Sequence, residues 1–199
     1  MRIGIVGDTH IPDRATHIPP AAIEALQGVD LILHAGDIST PAVLDKLRRL
    51  APVLAVQGNN AGDRRHFDPP LPRRIVVRVN GYRIGMTHGV QNLPQRLRDY
   101  AIAKLGYKHT LAESVGWRAR RQFDAVDAIV YGHIHWPWIG TLDGALMVNP
   151  GALCGWRDRS LALMDAGPNG LRAQLVYIDP PRQLGRSRLL AAALATRNT

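Results

Sequence analysis

Hydrophobic residues fall along this chain in short blocks, most of them ended by a glycine a few residues on. Within Arg2-Ile3-Gly4-Ile5-Val6, Ile3, Ile5 and Val6 are apolar and β-branched, and Gly7 stops the run, so it reads as a buried strand. Asp30 to His34, Pro52 to Val56 and Asp127 to Tyr131 repeat the pattern, the signature of strands covered on both faces. Between the blocks the period changes. Ala21 to Gln27 is amphipathic, with Pro19-Pro20 before it and Gly28 after it, the placement a helix favours. Thr40-Pro41 caps a second helix running to about Leu50, with Val43, Leu44, Leu47 and Leu50 on one face. Residues 94–123 carry helical periodicity broken near Gly106, which predicts two helices. Residues 60–72 are polar and proline-rich and read as loop.

Hairpins dominate the second half. Arg74 to Val79 and Tyr82 to Met86 flank Asn80-Gly81, the strongest short turn signal. Further pairs turn at Asp143-Gly144 and at Pro168-Asn169-Gly170. From Pro180 onward, a basic stretch with Leu184, Leu189 and Leu190 reads either as a short packed helix or as a loosely packed tail. No repeat or linker interrupts the pattern, so residues 1–199 are expected to form a single domain. Strands alternating with helices, then hairpins, predict a mixed α/β fold of two packed sheets with helices outside.

Composition narrows the setting. No apolar segment approaches the ~20 residues that span a bilayer. The chain enters a strand at once, which predicts no signal peptide, and Cys154 has no second cysteine to pair with. Both point to a cytoplasmic protein without membrane attachment. The net charge is +9, and 22 of the 25 basic residues are arginine. They are scattered as pairs such as Arg48-Arg49 and Arg120-Arg121. That fits a solvated surface better than a nucleic-acid tract, although the positive field would draw in a phosphate-bearing substrate.

The chemistry lies where the strands stop. Gly7 is followed by Asp8 and His10, and the next blocks end at Asp37, Asn59, His88 and the pair His133 and His135. Ligands of open α/β sheets bind at these carboxyl ends. Imidazole nitrogens mixed with carboxylate and amide oxygens suit borderline divalent cations such as Mn²⁺, Fe²⁺, Zn²⁺ or Ni²⁺. Seven donors are too many for one four-coordinate ion and suit two ions that share a carboxylate. Such pairs sit ~3.5–4 Å apart and clamp the oxygens of a phosphoryl displacement, with a bridging hydroxide as nucleophile. Two aspartates and one hydroxide leave such a centre net positive, which favours a phosphate over a neutral amide or ester.

Each residue alone has a plainer reading. Asp37 could cap the helix near Thr40, and His88 could be a hydrogen-bonded core histidine. His34 lies within its strand and is assigned to packing or to support of the ligands. His17 and His109 read as surface residues, Cys154 as a buried thiol and Asn149-Pro150-Gly151 as a tight turn. Trp136 and Trp138 read as packing a loop rather than stacking on a base.

Taken jointly, Gly7-Asp8-Thr9-His10, Gly36-Asp37, Gly58-Asn59, Thr87-His88-Gly89 and Gly132-His133-Ile134-His135 resemble the five signature blocks of calcineurin-like metallophosphoesterases. The small size and Asn149-Pro150-Gly151 are similar to the family's compact prokaryotic phosphodiesterases. The resemblance implies a four-layer α/β sandwich of two mixed sheets flanked by helices, holding two divalent ions, Mn²⁺ first, with Fe, Zn, Ni or Mg as alternatives. Asp8, His10 and His135 would hold one ion and Asn59, His88 and His133 the other. Asp37 would bridge, and the catalytic work would centre on Asp37, Asn59 and His88. The implied substrate is a small phosphodiester or other phosphorylated compound, and a homo-oligomer stays open.

One position departs from the family pattern. Many members carry a histidine directly after the Gly-Asn pair, where it protonates the leaving group; here that residue is Asn60. Asp63 is a displaced candidate for the role, and His66 another. Loss of such an acid costs ~10²–10⁴ in rate with a poor leaving group, which favours diesters or activated esters. Two other functions compete: a catalytically weak protein-binding scaffold of the same fold, as in a retromer subunit, and a nuclease or nucleic-acid binder.

Overall fold

A computed structural model describes residues 1–89, 93–155 and 158–179. The segment from Pro180, for which a helix or a tail was expected, lies outside them. Among the described residues, ten strands form two five-stranded sheets. In the first, β1 (Arg2–Val6), β2 (Leu31–His34) and β3 (Val53–Ala55) run parallel. The hairpin of β9 (Ser160–Gly167) and β10 (Gly170–Tyr177) extends the same sheet antiparallel to β1, giving the order β10-β9-β1-β2-β3. In the second sheet, β5 (Tyr82–Thr87), β6 (Ala128–Tyr131) and β8 (Ala145–Asn149) are parallel. They lie between the antiparallel edge strands β4 (Arg74–Val79) and β7 (Trp138–Leu142), in the order β4-β5-β6-β8-β7.

The core divides into three layers of apolar contact. Ile3, Ile5, Leu33, Met86, Val130 and Val148 pack between the sheets. Helices α1 (Pro20–Ala25) and α2 (Pro41–Arg48) lay Ala22, Val43, Leu44 and Leu47 on the outer face of the first sheet. Helix α5 (Lys108–Arg120), which follows α4 (Leu93–Lys104), places Leu111, Val115 and Ala119 on the outer face of the second. The result is the expected four-layer α/β sandwich. β1, β2 and β6 are buried on both faces apart from Arg2, which is why they read as unbroken apolar runs.

Two local expectations differ from the structure. Thr40 occupies the N-cap of α2, but its side chain makes no capping bond, and Pro41 at the first position starts the helix. Residues 61–65, expected as loop, form a short helix α3 (Ala61–Arg65). Asn60 caps it by accepting a hydrogen bond from the Asp63 N–H at 2.7 Å. Gly62 lies so close to the Ser39 backbone that a Cβ there would sit 2.5 Å from the Ser39 carbonyl oxygen. Tertiary contact, which the composition of 60–72 does not show, makes this turn helical.

Candidate metal centre

The parallel strands of both sheets end toward one place, and the loops that follow them carry the site. Asp8 N–H donates to Gly36 O and His10 N–H to Asp37 O, both at 3.0 Å, which ties the loop after β1 to the loop after β2. His133 N–H donates to Asp8 Oδ2 at 3.2 Å and joins the second sheet to the first. Asp8, His10, Asp37, His133 and His135 all adopt positive φ, between 47° and 80°. Side chains rarely sit there without strain, and the crossed loop hydrogen bonds hold them in it.

All seven sequence-predicted residues come together. The donor atoms of Asp8, His10, Asp37 and His135 lie within 4.8 Å of one another. His135 Nε2 is 3.1 Å from Asp8 Oδ1, and His10 Nε2 is 3.3 Å from His135 Nε2. On the other side, Asn59 Oδ1 lies 2.9 Å from His88 Nε2 and 2.7 Å from His133 Nδ1. One atom touches both groups: Asp37 Oδ2 is 3.5 Å from His10 Nε2 and 3.3 Å from His88 Nε2.

These residues fit divalent cations on an observation independent of their type. Asp8 Oδ1 is wholly enclosed and receives no hydrogen bond of good geometry, although imidazole nitrogens surround it. A buried carboxylate oxygen without a donor is costly unless a positive charge completes it. Burial also pushes the His10 imidazole below its ordinary range, and burial together with the His88 charge pushes His133 down to about 4, leaving ring lone pairs available to a cation. Burial would raise Asp37, yet His88, the Asn60 N–H and His10 hold it well below the usual carboxylate range. Burial likewise opposes charge on His88, but Asp37 lifts it to about 9 in the metal-free protein. His88 Nδ1–H donates to Ala35 O at 2.7 Å, which fixes the ring so that Nε2 faces the centre.

The surrounding residues hold the donors in register. His34, pushed down to about 3 by burial, accepts the Gly36 N–H at Nδ1 and contacts Thr9 Oγ1 at 3.3 Å through Nε2. Its expected supporting place is what the structure shows. Asn149 is more than a turn residue: its amide donates to Gly132 O and accepts the Gly151 N–H, which braces the loop bearing His133. Asp63 does not face the centre as an acid would. Its buried carboxylate accepts N–H bonds from Ile38, Ser39 and Gly58 at 2.7–2.8 Å. His66 is also engaged, its Nδ1–H donating to Ser39 O at 2.8 Å.

Among the remaining residues, His17 and His109 are exposed, Trp138 packs with the α5 layer and Cys154 is a buried thiol pushed up to about 12. His10, Asp37, Asn59, His133 and His135 line a cavity of about 370 Å³, together with Asp13, Arg14 and Asn60. Sequence reading passed over Asp13 and Arg14; their place three and four residues after His10 was the available signal.

Comparison with known proteins identifies the family. The sequence matches the calcineurin-like phosphoesterase superfamily domain over residues 1–167. A probable metallophosphoesterase of Methanothermobacter thermautotrophicus is 37% identical over 155 residues, 76% of this chain and 77% of that protein. A phosphodiesterase of Methanocaldococcus jannaschii is 26% identical over 170 residues, 78% of this chain and 86% of that protein. In structure, a variant of Vps29 from Entamoeba histolytica superposes with a TM-score of 0.62 at 22% identity, covering 90% of this chain and all of that one. Matched along most of its length and sharing this architecture, the chain belongs to the calcineurin-like phosphoesterase superfamily.

Proposed function

We propose that the protein is a two-metal phosphodiesterase. The observation that carries this reading is Asp37 Oδ2, one carboxylate oxygen within 3.5 Å of an imidazole from each donor group. Asp8, His10 and His135 would hold one cation, Asn59, His88 and His133 the other, with Asp37 shared. When bound, such a pair polarises phosphoryl oxygens and supplies a water-derived nucleophile at neutral pH. The chain's own residues set the rest. Ala35 O keeps the His88 Nδ1 proton so that Nε2 stays directed inward, and Asn60 N–H fixes the angle of Asp37 through Oδ1 at 2.9 Å.

The same geometry supports a diester over an alkyl monoester. Asn60 carries no acidic proton and its side-chain oxygen is committed to capping α3. Asp63 is occupied by three backbone donors. Neither can protonate a poor leaving group, and the M. jannaschii relative described as a phosphodiesterase agrees with this preference. Nothing in the donor set favours a scaffold without metal, because every donor position is filled by a metal-binding type.

The test is hydrolysis of bis(p-nitrophenyl) phosphate with added Mn²⁺, alongside metal analysis. Asp37→Ala should lose at least ~10² in rate and hold less metal, since even outer-shell changes cost 10–100-fold. Activity indifferent to a chelator, or unchanged in Asp37→Ala, overturns the proposal.

A further inference from the structure

The cavity wall beside the donors carries two charged residues with no role so far. Arg14 is the arginine in the lining, and Asp13 stands next to it. Both are exposed, yet the turn that bears them is fixed. Arg14 N–H donates to His10 O at 2.7 Å, so the turn is closed onto a donor residue. The Ser39 hydroxyl donates to Asp13 Oδ2 at 2.6 Å. Gly155, at φ +73°, packs so closely that a Cβ there would lie 2.6 Å from Arg14 Cβ and 3.0 Å from its carbonyl oxygen.

We propose that this pair reads the charge of the substrate, Arg14 gripping a non-bridging phosphate oxygen while Asp13 disfavours a second negative charge. The inference rests on the phosphodiesterase reading above and adds to it the means of selection. A phosphodiester carries one negative charge, whereas a phosphomonoester carries nearly two above a second pKa of ~6. A guanidinium offers a fork of donors matched to phosphate oxygens. The Asp13 carboxylate, held by Ser39, keeps a like charge at the same wall.

The test uses a phosphodiester with a very poor leaving group and a phosphonate with no ester bond, with product release checked in each sample. Diethyl phosphate carries one negative charge, and methylphosphonate at pH 8.5 carries two. Their affinities for the Mn²⁺-loaded full chain are measured by calorimetry for wild type, Arg14→Ala, Arg14→Lys and Asp13→Asn, with metal content checked in each. Arg14→Ala should weaken both ligands about tenfold or more at unchanged metal content, the scale of a hydrogen bond to a charged group. Arg14→Lys should fall between, because a point charge replaces the fork.

Asp13→Asn, which still accepts the Ser39 hydroxyl, should shift the ratio toward methylphosphonate by about tenfold. That lies within the ~3- to 100-fold expected of one charge at ~6 Å between bulk-water and surface dielectric values. Wild-type ligand affinities in Arg14→Ala, or an unchanged ratio in Asp13→Asn, overturn the inference while leaving the phosphodiesterase reading intact. A wild-type protein that takes up none of Mn²⁺, Fe²⁺, Zn²⁺, Ni²⁺ or Mg²⁺ overturns both.

Discussion

Replacing Asp63 with asparagine separates two roles that sequence alone leaves confounded. In the structure its carboxylate is fully buried; Oδ1 accepts the Ile38 and Ser39 N–H groups, and Oδ2 accepts that of Gly58. It therefore binds the loop of Asp37 to the loop of Asn59, and so the shared carboxylate to one donor group. Asparagine keeps one oxygen for Ile38 and Ser39 but turns its amide NH₂ toward the Gly58 N–H. One charge-assisted bond worth ~1.5–3 kcal/mol is lost, a buried donor is orphaned, and two bonds drop to neutral strength of ~0.5–1.5 kcal/mol each. At the low end of each range, with ~1 kcal/mol for the orphaned donor, the sum is about 4.5 kcal/mol. At ~2–4 °C per kcal/mol for a domain of this size, the melting temperature should fall by roughly 10 °C. Metal affinity should weaken by ~10–100-fold, as for other outer-shell partners. Calorimetric melting and Mn²⁺ titration read both effects. An unshifted melting temperature, with rate lost selectively for esters of poor leaving groups, would mean that Asp63 is an acid after all and would refute the clamp.

Two further outcomes follow from the same geometry. Gly58→Ala should abolish two-metal loading and lower the melting temperature. A Cβ there would lie 2.7 Å from Asp37 Cα and closer still to its N and Oδ1, so the shared carboxylate must move. Normal metal content in that variant would contradict the assigned place of Asp37. The metal-free protein should be most stable near pH 6.5, measured by melting from pH 4 to 10. Below that pH, His34 and His133, at about 3 and about 4, resist protons that the unfolded chain takes up, so stability rises with pH. Above it, His88, raised to about 9, keeps a proton that the unfolded chain sheds, so its contribution fades through pH 9. Saturating Mn²⁺ should displace that proton and flatten the alkaline limb; stability of the metal-free protein that keeps rising to pH 9 would contradict the His88–Asp37 pairing.

Much of the site was legible in the chain because one rule placed it. An apolar block fixes a buried parallel strand, the strand fixes a carboxyl end, and Asp8, Asp37, His88 and His133 each follow such an end within a few residues. The supporting residues obey no such rule. Asp63 reaches Ile38, 25 residues back, through a side-chain to backbone bond, and Asn149 reaches Gly132 across 17. Bonds of this kind leave no periodicity and no composition bias. Residues 60–72 read as loop for the same reason, since α3 exists through Asn60 as cap and Gly62 against Ser39 rather than through an amphipathic stripe.

The backbone shows why the donors could not be replaced by residues better suited to their conformations. Positive φ favours glycine, and Asn80 and Asp143, at 48°, occupy it in hairpin turns where short polar side chains are tolerated. At Asp8, His10, Asp37, His133 and His135 the same region is imposed on side chains that include three imidazoles. Glycine would relieve the strain at each, at about 1–3 kcal/mol per residue, and would leave no donor. The fold instead spends its close contacts there: Gly58 lies against Asp37, and Gly132 sits where a Cβ would be 3.1 Å from Asp8 Oδ2. Glycine lies where the backbone must approach and, at these five positions, a polar or ring side chain lies where it must bend, which is what the proposed common ligand would require.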